Sequence, residues 1–306
     1  MGNYRRYQPF RRTYGPERRA WKLLGWGAVI VVIFILVKNV FGTSDSKKSA
    51  SKDQSEITLA NINTTADDSG IPSTATIAGR AITTKDCPKL ISLAAIEQNV
   101  VALTLNAGGI PGDAQKVLEV LKQKQALAAL FVTGKWADDN AETVKAYAEA
   151  NFGVYNRGYA SISYDTLTPD QIDADLEKAE TAIADVTGKP TKPYFRPPFG
   201  AANEATVAEL RRQGYCAIGW TVDALDVQNG ATVDGSAARV MKSLKPGSII
   251  LMLANSDIAV DLVGSLIDQI RAKGWQLVEL QDLLRQQSIA TNTTNVNKNA
   301  NINGTP

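Results

Sequence analysis

The chain has 306 residues, which is enough for one large α/β domain with extensions. Its charges nearly balance, with 33 Lys and Arg against 31 Asp and Glu, and this argues against nucleic acid as a partner because such binding needs a basic surface. Histidine is absent. That absence excludes Ser-His and Cys-His catalysis and any metal site with imidazole ligands.

The first 42 residues predict a membrane anchor. Residues 1–22 are strongly basic, and residues 23–42 are apolar apart from Lys38 and one asparagine. An apolar helix of about 20 residues crosses a bilayer core, and Lys38 lies near its end, where a long side chain reaches the headgroups. A cleavable signal peptide would need a small-residue cleavage site, and none precedes Ser44. We therefore expect an uncleaved, single-pass signal anchor in the cell membrane, with the basic segment cytoplasmic and the globular domain extracytoplasmic.

Composition divides the rest of the chain into three segments. Residues 43–82 are rich in Ser, Thr, Asp and Lys and predict a flexible stalk, and residues 287–306 form an Asn/Thr-rich tail that we expect to be disordered. Between them, residues 83–286 carry the pattern of a folded domain. The two cysteines, Cys87 and Cys216, are compatible with one disulfide or with two buried thiols, and their spacing does not decide between these.

Short aliphatic runs alternate with helical patterns through the domain. Residues 168–190 predict a helix, with Thr168 as its N-cap and Gly188 near its end, and residues 257–273 predict another. This alternation predicts a parallel sheet, and we expect a barrel-like closure because no glycine-rich dinucleotide motif follows the first strand. The predicted strands are Val100–Leu105, Ala129–Val132, Gly153–Asn156, Tyr194–Arg196, Cys216–Gly219, Ser248–Leu253 and Gln276–Val278.

Four segments at or near the ends of these strands resemble one family. They are residues 133–136 (TGKW), 196–200 (RPPFG), 220–226 (WTVDALD) and 246–252 (PGSIILM). In order and spacing they are similar to motifs of the NodB-homology polysaccharide deacetylases, carbohydrate esterase family 4. The resemblance covers roughly residues 98–284 and implies a distorted (β/α)7 barrel that hydrolyses N-acetyl groups of glycans with a divalent metal such as zinc.

The catalytic positions depart from the family pattern. Members read Thr-Phe-Asp-Asp-Gly-Pro after the first strand, where the first Asp is the general base and the second binds the metal; here the matching residues are Asn106 and Ala107. The other metal ligands of the family are two histidines four residues apart, and here Arg157 and Ser161 stand at those positions. The family's catalytic histidine follows the last motif, where this chain has Leu253.

These replacements remove the chemistry that the family needs. Ala107 cannot bind a metal, neutral Ser161 is a weak ligand, and Arg157 places a positive charge where the cation would sit. Asn106 cannot accept a proton and Leu253 cannot donate one. We therefore expect no working catalytic residue, no metal and no other cofactor.

The supporting residues of the family site are retained. In the family, the arginine that matches Arg196 pairs with the aspartate that matches Asp223 and helps to orient the base. Here we expect Arg196 and Asp223, with Asp226 in the same motif, to form a buried or half-buried ion pair that fixes two loops.

A remodelled binding pocket is the other interpretation of this site. Arg157 would offer a bidentate fork to a carboxylate or phosphate of a glycan. For Tyr159 and Trp220, plain packing beside the barrel mouth is an equally good interpretation. The candidate substrate-binding residues are Arg157, Ser161, Tyr159, Pro198, Phe199 and Trp220.

Three hypotheses for the function remain. The leading one is a membrane-anchored pseudoenzyme that binds peptidoglycan, another envelope glycan or a protein partner. The second is an active carbohydrate N-deacetylase whose non-standard site uses Asp165, Asp223 and Asp226. The third is a purely structural envelope protein.

Overall fold

The computed structural model describes residues 83–87, 89–109 and 112–287. The predicted basic segment, the anchor at 23–42, the stalk at 43–82 and the tail beyond Gln287 lie outside these residues. Within the part described, no helix is long and apolar enough to cross a membrane.

The described strands form one sheet in which every pairing is parallel, as the sequence predicted. The bounds of the strands are β1 Val100–Ala107, β2 Ala129–Val132, β3 Gly153–Asn156, β4 Tyr194–Phe195, β5 Cys216–Ala217, β6 Val222–Asp223, β7 Ile249–Leu253 and β8 Gln276–Val278. The predictions for β2, β3 and β8 match these bounds, and β1 extends beyond its predicted end. The sequence did not predict β6, because two residues carry too little pattern to identify a strand.

The sheet is curled, and the segment before β1 forms one bridge beside β5 and another beside β7. The strand order is β5-β4-β3-β2-β1-β7-β6, and β8 pairs with the first residues of β1. Ile91 bridges Ile218, which follows β5, while Leu93 bridges Ser248, which precedes β7. The fold is therefore a curled parallel half-barrel of the α/β class, in agreement with the predicted barrel-like arrangement.

Helices connect the strands. Their bounds are α1 Ala114–Gln123, α2 Gly134–Asp139, α3 Ala141–Glu149, α4 Pro169–Thr187, α5 Glu204–Arg212, α6 Val233–Ser243 and α7 Ala259–Ala272, and residues 280–287 are also helical. Helix α4 begins where predicted: Thr168 accepts a hydrogen bond from the N–H of Gln171, and the Gln171 side chain accepts one from the N–H of Thr168. Gly188, at φ 67, ends it.

The central strand β1 is buried throughout, as expected of a parallel strand covered on both faces. Leu105 and Ala107 belong to the apolar cluster shared with helices α1 and α7. Ala102 belongs to a second cluster, with Phe131 of β2. Because side chains alternate along a strand, Asn106 shares the side of Ala102, whereas Ala107 faces the helices.

Cys87 and Cys216 form a disulfide, with Cα atoms 5.5 Å apart. The alternative that the sequence left open, two separate thiols, is therefore not the arrangement found. The bond attaches the segment before β1 to strand β5.

Candidate functional site

The candidate site lies at the carboxyl edge of the sheet, where the ends of neighbouring strands bring distant residues together. Asn106 of β1 is paired with Phe131 of β2 on one side and with Leu253 of β7 on the other. Asn156, at the end of β3, is paired with Phe195 of β4. The residues that follow β3 and β4, including Arg157 and Arg196, therefore start from the same edge as Asn106.

Arg196 is fully buried and organises the centre of the site. Its Nη1 donates to Asn106 Oδ1 at 3.1 Å, its Nη2 to the carbonyl of Gly219 at 3.1 Å, and its Nε to the carbonyl of Ile218 at 3.4 Å. The predicted ion pair between Arg196 and Asp223 is wrong: no ion pair between described residues joins them. Its acceptors are instead neutral: the Asn106 side chain and two backbone carbonyls.

The Arg196 guanidinium also packs against aromatic rings. Its central carbon lies 4.0 Å from the centroid of the Phe131 ring and 5.9 Å from that of Trp220. Burial lowers the pKa of Arg196 well below its ordinary value, the nearby charge of Arg157 lowers it further, and the carboxylate of Asp223 raises it. Trp220 packs on the other side against Gly200, where a Cβ atom would come within 2.9 Å of its ring. These contacts favour the packing interpretation of Trp220.

The loop after β3 is held in one conformation by neighbouring side chains. Asn156 Oδ1 accepts from the N–H of Gly158 at 2.7 Å, and Asp175 of α4 accepts from the N–H of Tyr159 at 2.9 Å. Gly158 has φ +80, and a Cβ there would lie 2.7 Å from an Asp175 oxygen. The loop that carries Arg157 and Ser161 is therefore preorganised, and only glycine fits its turn.

Within this loop, Arg157 and Ser161 contact each other directly. Arg157 Nη1 donates to Ser161 Oγ at 3.1 Å, while Arg157 Nε is buried without a hydrogen-bond partner among the described residues. Burial lowers the pKa of Arg157 to about 10, so the guanidinium remains charged at neutral pH. A buried donor without a partner typically costs about 1–3 kcal/mol.

The residues at the family's metal-ligand positions do not fit a metal. Ala107 offers no donor atom and is fully buried in the apolar cluster beside helices α1 and α7. The only oxygen of the set, Ser161 Oγ, accepts a hydrogen bond from the Arg157 cation. In the described ranges, no group of three His, Cys, Asp or Glu residues could hold a metal ion.

The acidic residues proposed for a non-standard catalytic site do not assemble into one. Asp226 is buried and accepts hydrogen bonds from the N–H of Leu253 at 3.1 Å and from Ser256 Oγ at 2.6 Å. Asp165 instead accepts from the N–H of Asn203 at 2.9 Å, before α5. These carboxylates brace loops, and burial raises the pKa of Asp226.

Asp223, the third of these residues, also stabilises a loop and does not form part of a catalytic site. Its side chain accepts from the N–H of Leu225 at 2.9 Å, and its carbonyl accepts from Arg239 Nε at 3.0 Å. Leu225 has φ 56, a left-handed conformation that such a bond helps to hold. Burial raises the pKa of Asp223.

The other predicted substrate-binding residues differ in how available they are. The Tyr159 hydroxyl donates to Asp138 at 3.0 Å, and Lys178 Nζ lies 3.6 Å from the centre of its ring, so packing accounts for this residue. Pro198 is buried, whereas Phe199 is 69% exposed. Phe199 also has φ 60, a strained conformation for a residue with a side chain. An exposed aromatic ring in a strained loop suits a binding role better than a packing role.

The sequence did not predict the cleft beside Ser161. It has a volume of about 510 Å³, and its lining includes Thr133, Trp136, Asn140 and Ser161. For residues 133–136 the sequence indicated a family motif and no cleft. The available signal was the N-cap at Thr133, which accepts from the N–H of Trp136 at 3.2 Å and turns α2 along the site.

Comparisons with known proteins agree with this geometry. The sequence model described as polysaccharide deacetylase matches residues 94–218. The folded part of this chain is thus a polysaccharide deacetylase domain, as the resemblance implied. One similar protein is the peptidoglycan-N-acetylmuramic acid deacetylase PdaA of Bacillus subtilis, 26% identical over 195 residues that span 63% of this chain and 74% of that protein.

Solved structures similar to this chain include an inactive member of the family. A carbohydrate esterase family 4 pseudoenzyme from Bacillus anthracis superposes with a TM-score of 0.61 at 28% identity, over 65% of this chain and 70% of that chain. A mutant of that pseudoenzyme, with restored enzymatic activity, gives a TM-score of 0.61 at 28% identity, over 65% of this chain and 73% of its own. Proteins similar to this chain thus include both deacetylases and a pseudoenzyme.

Proposed function

We propose that this polysaccharide deacetylase domain is catalytically inactive and binds an envelope glycan, with peptidoglycan as the ligand we expect. The observation that carries the proposal is the hydrogen bond from Arg157 to Ser161, at the two positions where the family has histidine ligands. A metal ion there would meet a fixed positive charge instead of lone pairs, so no activated water is available for amide hydrolysis. The relative whose name gives peptidoglycan N-acetylmuramic acid as its substrate supports the ligand class.

Metal content and activity test the inactive state. The full chain, purified in detergent without chelators, is analysed for zinc, cobalt and manganese by mass spectrometry and assayed for acetate release from N-acetylated peptidoglycan. We expect far less than one equivalent of metal and no acetate above the rate without protein. Stoichiometric metal together with acetate release would instead support the active-deacetylase hypothesis.

Retention on polymer tests glycan binding. The full chain is passed over purified peptidoglycan and, as a matched control, over cellulose, which has the same linkage and no N-acetyl or lactyl groups. We expect retention on peptidoglycan alone. Passage through both columns would contradict glycan binding and leave the structural role.

The same proposal places the domain outside the cell membrane on an anchor at residues 23–42. The apolar length of this segment and the basic residues before it support the placement. The Cys87–Cys216 disulfide supports it as well, because such bonds persist in oxidising compartments. We expect the chain to remain in membranes washed with alkaline carbonate and a variant without residues 1–42 to be released. Release of the full chain by carbonate would contradict the anchor.

A further inference from the structure

Two arginines at the carboxyl edge of the sheet lack a carboxylate partner. None of the ion pairs between described residues includes Arg157 or Arg196. The two lie near enough for the charge of Arg157 to contribute to lowering the pKa of Arg196. Backbone carbonyls and Asn106 satisfy Arg196, but among the described residues the Arg157 side chain donates only to Ser161. The carboxylate of Asp223 acts on Arg196, so the positive charge that the site leaves unbalanced is that of Arg157.

The surroundings of Arg157 fit an anion that approaches from solvent. Ser161 is exposed, and since its oxygen accepts from Arg157 its own hydroxyl proton remains free to donate. The loop that carries both residues is fixed by the bonds to Gly158 and Tyr159. A ligand therefore meets donors that are already in place and pays little ordering entropy.

The cleft next to this pair has the dimensions of a sugar site. Ser161, which accepts a hydrogen bond from Arg157, lines the cleft. The cleft volume is about 510 Å³, and ligand pockets commonly measure about 300–1,000 Å³. Trp136, Thr133 and Asn140 also line it, and the two charged lining residues, Lys135 and Asp139, pair with each other at 2.9 Å. An aromatic surface with a few polar groups is the usual composition of a small-ligand pocket.

We infer that the cleft binds an acidic sugar, with the ring beside Trp136 and its carboxylate on the Arg157 guanidinium and the Ser161 hydroxyl. A carboxylate is preferred to a phosphate because a single guanidinium matches its planar pair of oxygens. This inference rests on the proposed glycan binding and adds the chemical group that is recognised.

Calorimetric titration of the full chain in detergent tests the inference with two probes. One is a disaccharide of N-acetylglucosamine and N-acetylmuramic acid, and the other is the same disaccharide with its carboxyl group reduced to an alcohol. We expect the acid to bind at least about 10-fold more tightly. Equal affinities for the two sugars would overturn the inference while leaving glycan binding intact, and binding of neither sugar would count against both proposals.

Variants test whether Arg157 and Ser161 are the residues that recognise the carboxylate. Arg157→Gln should reduce the affinity for the acid to that for the alcohol, while Lys122→Gln, which removes one exposed charge on α1, should change neither. Ser161→Ala alters an exposed side chain, so it tests the site even if Arg157→Gln fails to fold, and a several-fold loss for the acid alone is expected. Equal losses for both sugars, or none, would contradict the assignment. Competition by inorganic phosphate at the affinity of the acid would show a phosphate site instead.

Discussion

Near the start of β3, Glu279 is buried beside Gly153, and its Oε1 accepts a hydrogen bond from the Tyr155 hydroxyl at 3.0 Å. At the opposite, carboxyl edge, Arg157 and Arg196 form no ion pair within the described part of the chain. Burial raises the pKa of Glu279 to about 7, so this carboxyl group can become neutral by taking up a proton near neutral pH. Arginine has no such route, because its guanidinium group stays protonated at neutral pH.

This difference is the reason for placing the proposed ligand site at the carboxyl edge. A buried carboxyl group that protonates leaves no unbalanced charge, so the amino end needs no counter-ion. At the carboxyl edge, Arg196 is satisfied by the protein and Arg157 is not. A bound anion would complete the hydrogen bonding of Arg157, whereas a bound cation would be repelled. The charge that excludes the family's metal is therefore also the charge that favours an acidic ligand.

The largest expected effect comes from reversing the charge at the carboxyl edge. We expect a variant with the five substitutions Asn106→Asp, Ala107→Asp, Arg157→His, Ser161→His and Leu253→His to release acetate from N-acetylated glycans when zinc is present, because it restores a base, three ligands and an acid. The rate should exceed that of the unaltered chain by at least about 100-fold, since metal and base each contribute large factors. Acetate is measured as a function of added zinc.

The matched control for this variant keeps Asn106 and carries the other four substitutions. It should bind zinc but release little acetate, because it lacks the base. Both variants place an aspartate at position 107, inside an apolar cluster, where a bound zinc ion would neutralise its charge. Both should therefore gain thermal stability when zinc is added. If neither variant binds zinc, the carboxyl edge cannot form a metal site even with the family's ligands, and the prediction is contradicted.

The second effect concerns Arg196, the cation that the protein satisfies. Arg196→Met preserves much of the volume but removes the donor from Asn106 Oδ1 and from the carbonyls of Ile218 and Gly219. We expect the free energy of unfolding to fall by about 3–4 kcal/mol, measured by chemical denaturation. Arg239→Met, at an exposed arginine of α6, should cost less than about 1 kcal/mol. Equal losses would show that the buried hydrogen bonds of Arg196 are not what stabilises this edge.

The third effect tests the amino end through pH. The pKa of Glu279 is raised from its ordinary value of 4.5 to about 7, so between these pH values the unfolded chain releases a proton that the folded chain keeps. Stability from this group is complete below about pH 4.5 and is lost as the pH rises through about 7. Glu279→Gln should remove a fall of about 2–3 kcal/mol over that range, measured by denaturation at each pH. The control is Glu119→Gln, at an exposed glutamate of α1, which should keep the fall; an unchanged slope in Glu279→Gln would contradict the assignment.

Much of the fold could be predicted from the sequence, because its signals are local. The cap at Thr168, the glycine at 188 and the aliphatic run from Val100 predict elements whose bounds agree closely with the structure. Strand β6 has two residues and gave no signal.

The candidate site was predicted less completely, because its contacts join residues far apart in the chain. Motif matching identified Arg157, Ser161 and Arg196, but it transferred the family's ion pair to Asp223. In the structure Arg196 donates instead to neutral acceptors, among them Asn106 Oδ1. The cleft beside Trp136 depends on how α2 packs against the loop after β3, and no local pattern encodes that packing.

The smallest expected effect separates the two arginines of the carboxyl edge. Arg157→Met removes a charged group whose Nε has no hydrogen-bond partner among the described residues, and it leaves an apolar stem of similar length. In the absence of ligand we expect the free energy of unfolding to rise by about 0.5–1 kcal/mol. The reason is that a buried charge kept for binding destabilises the free protein, and the substitution removes that charge. The measurement is chemical denaturation of both proteins in the absence of any anionic ligand. A loss of more than about 1 kcal/mol would show that Arg157 stabilises the fold, as Arg196 does. That result would contradict its assignment as the anion-binding residue.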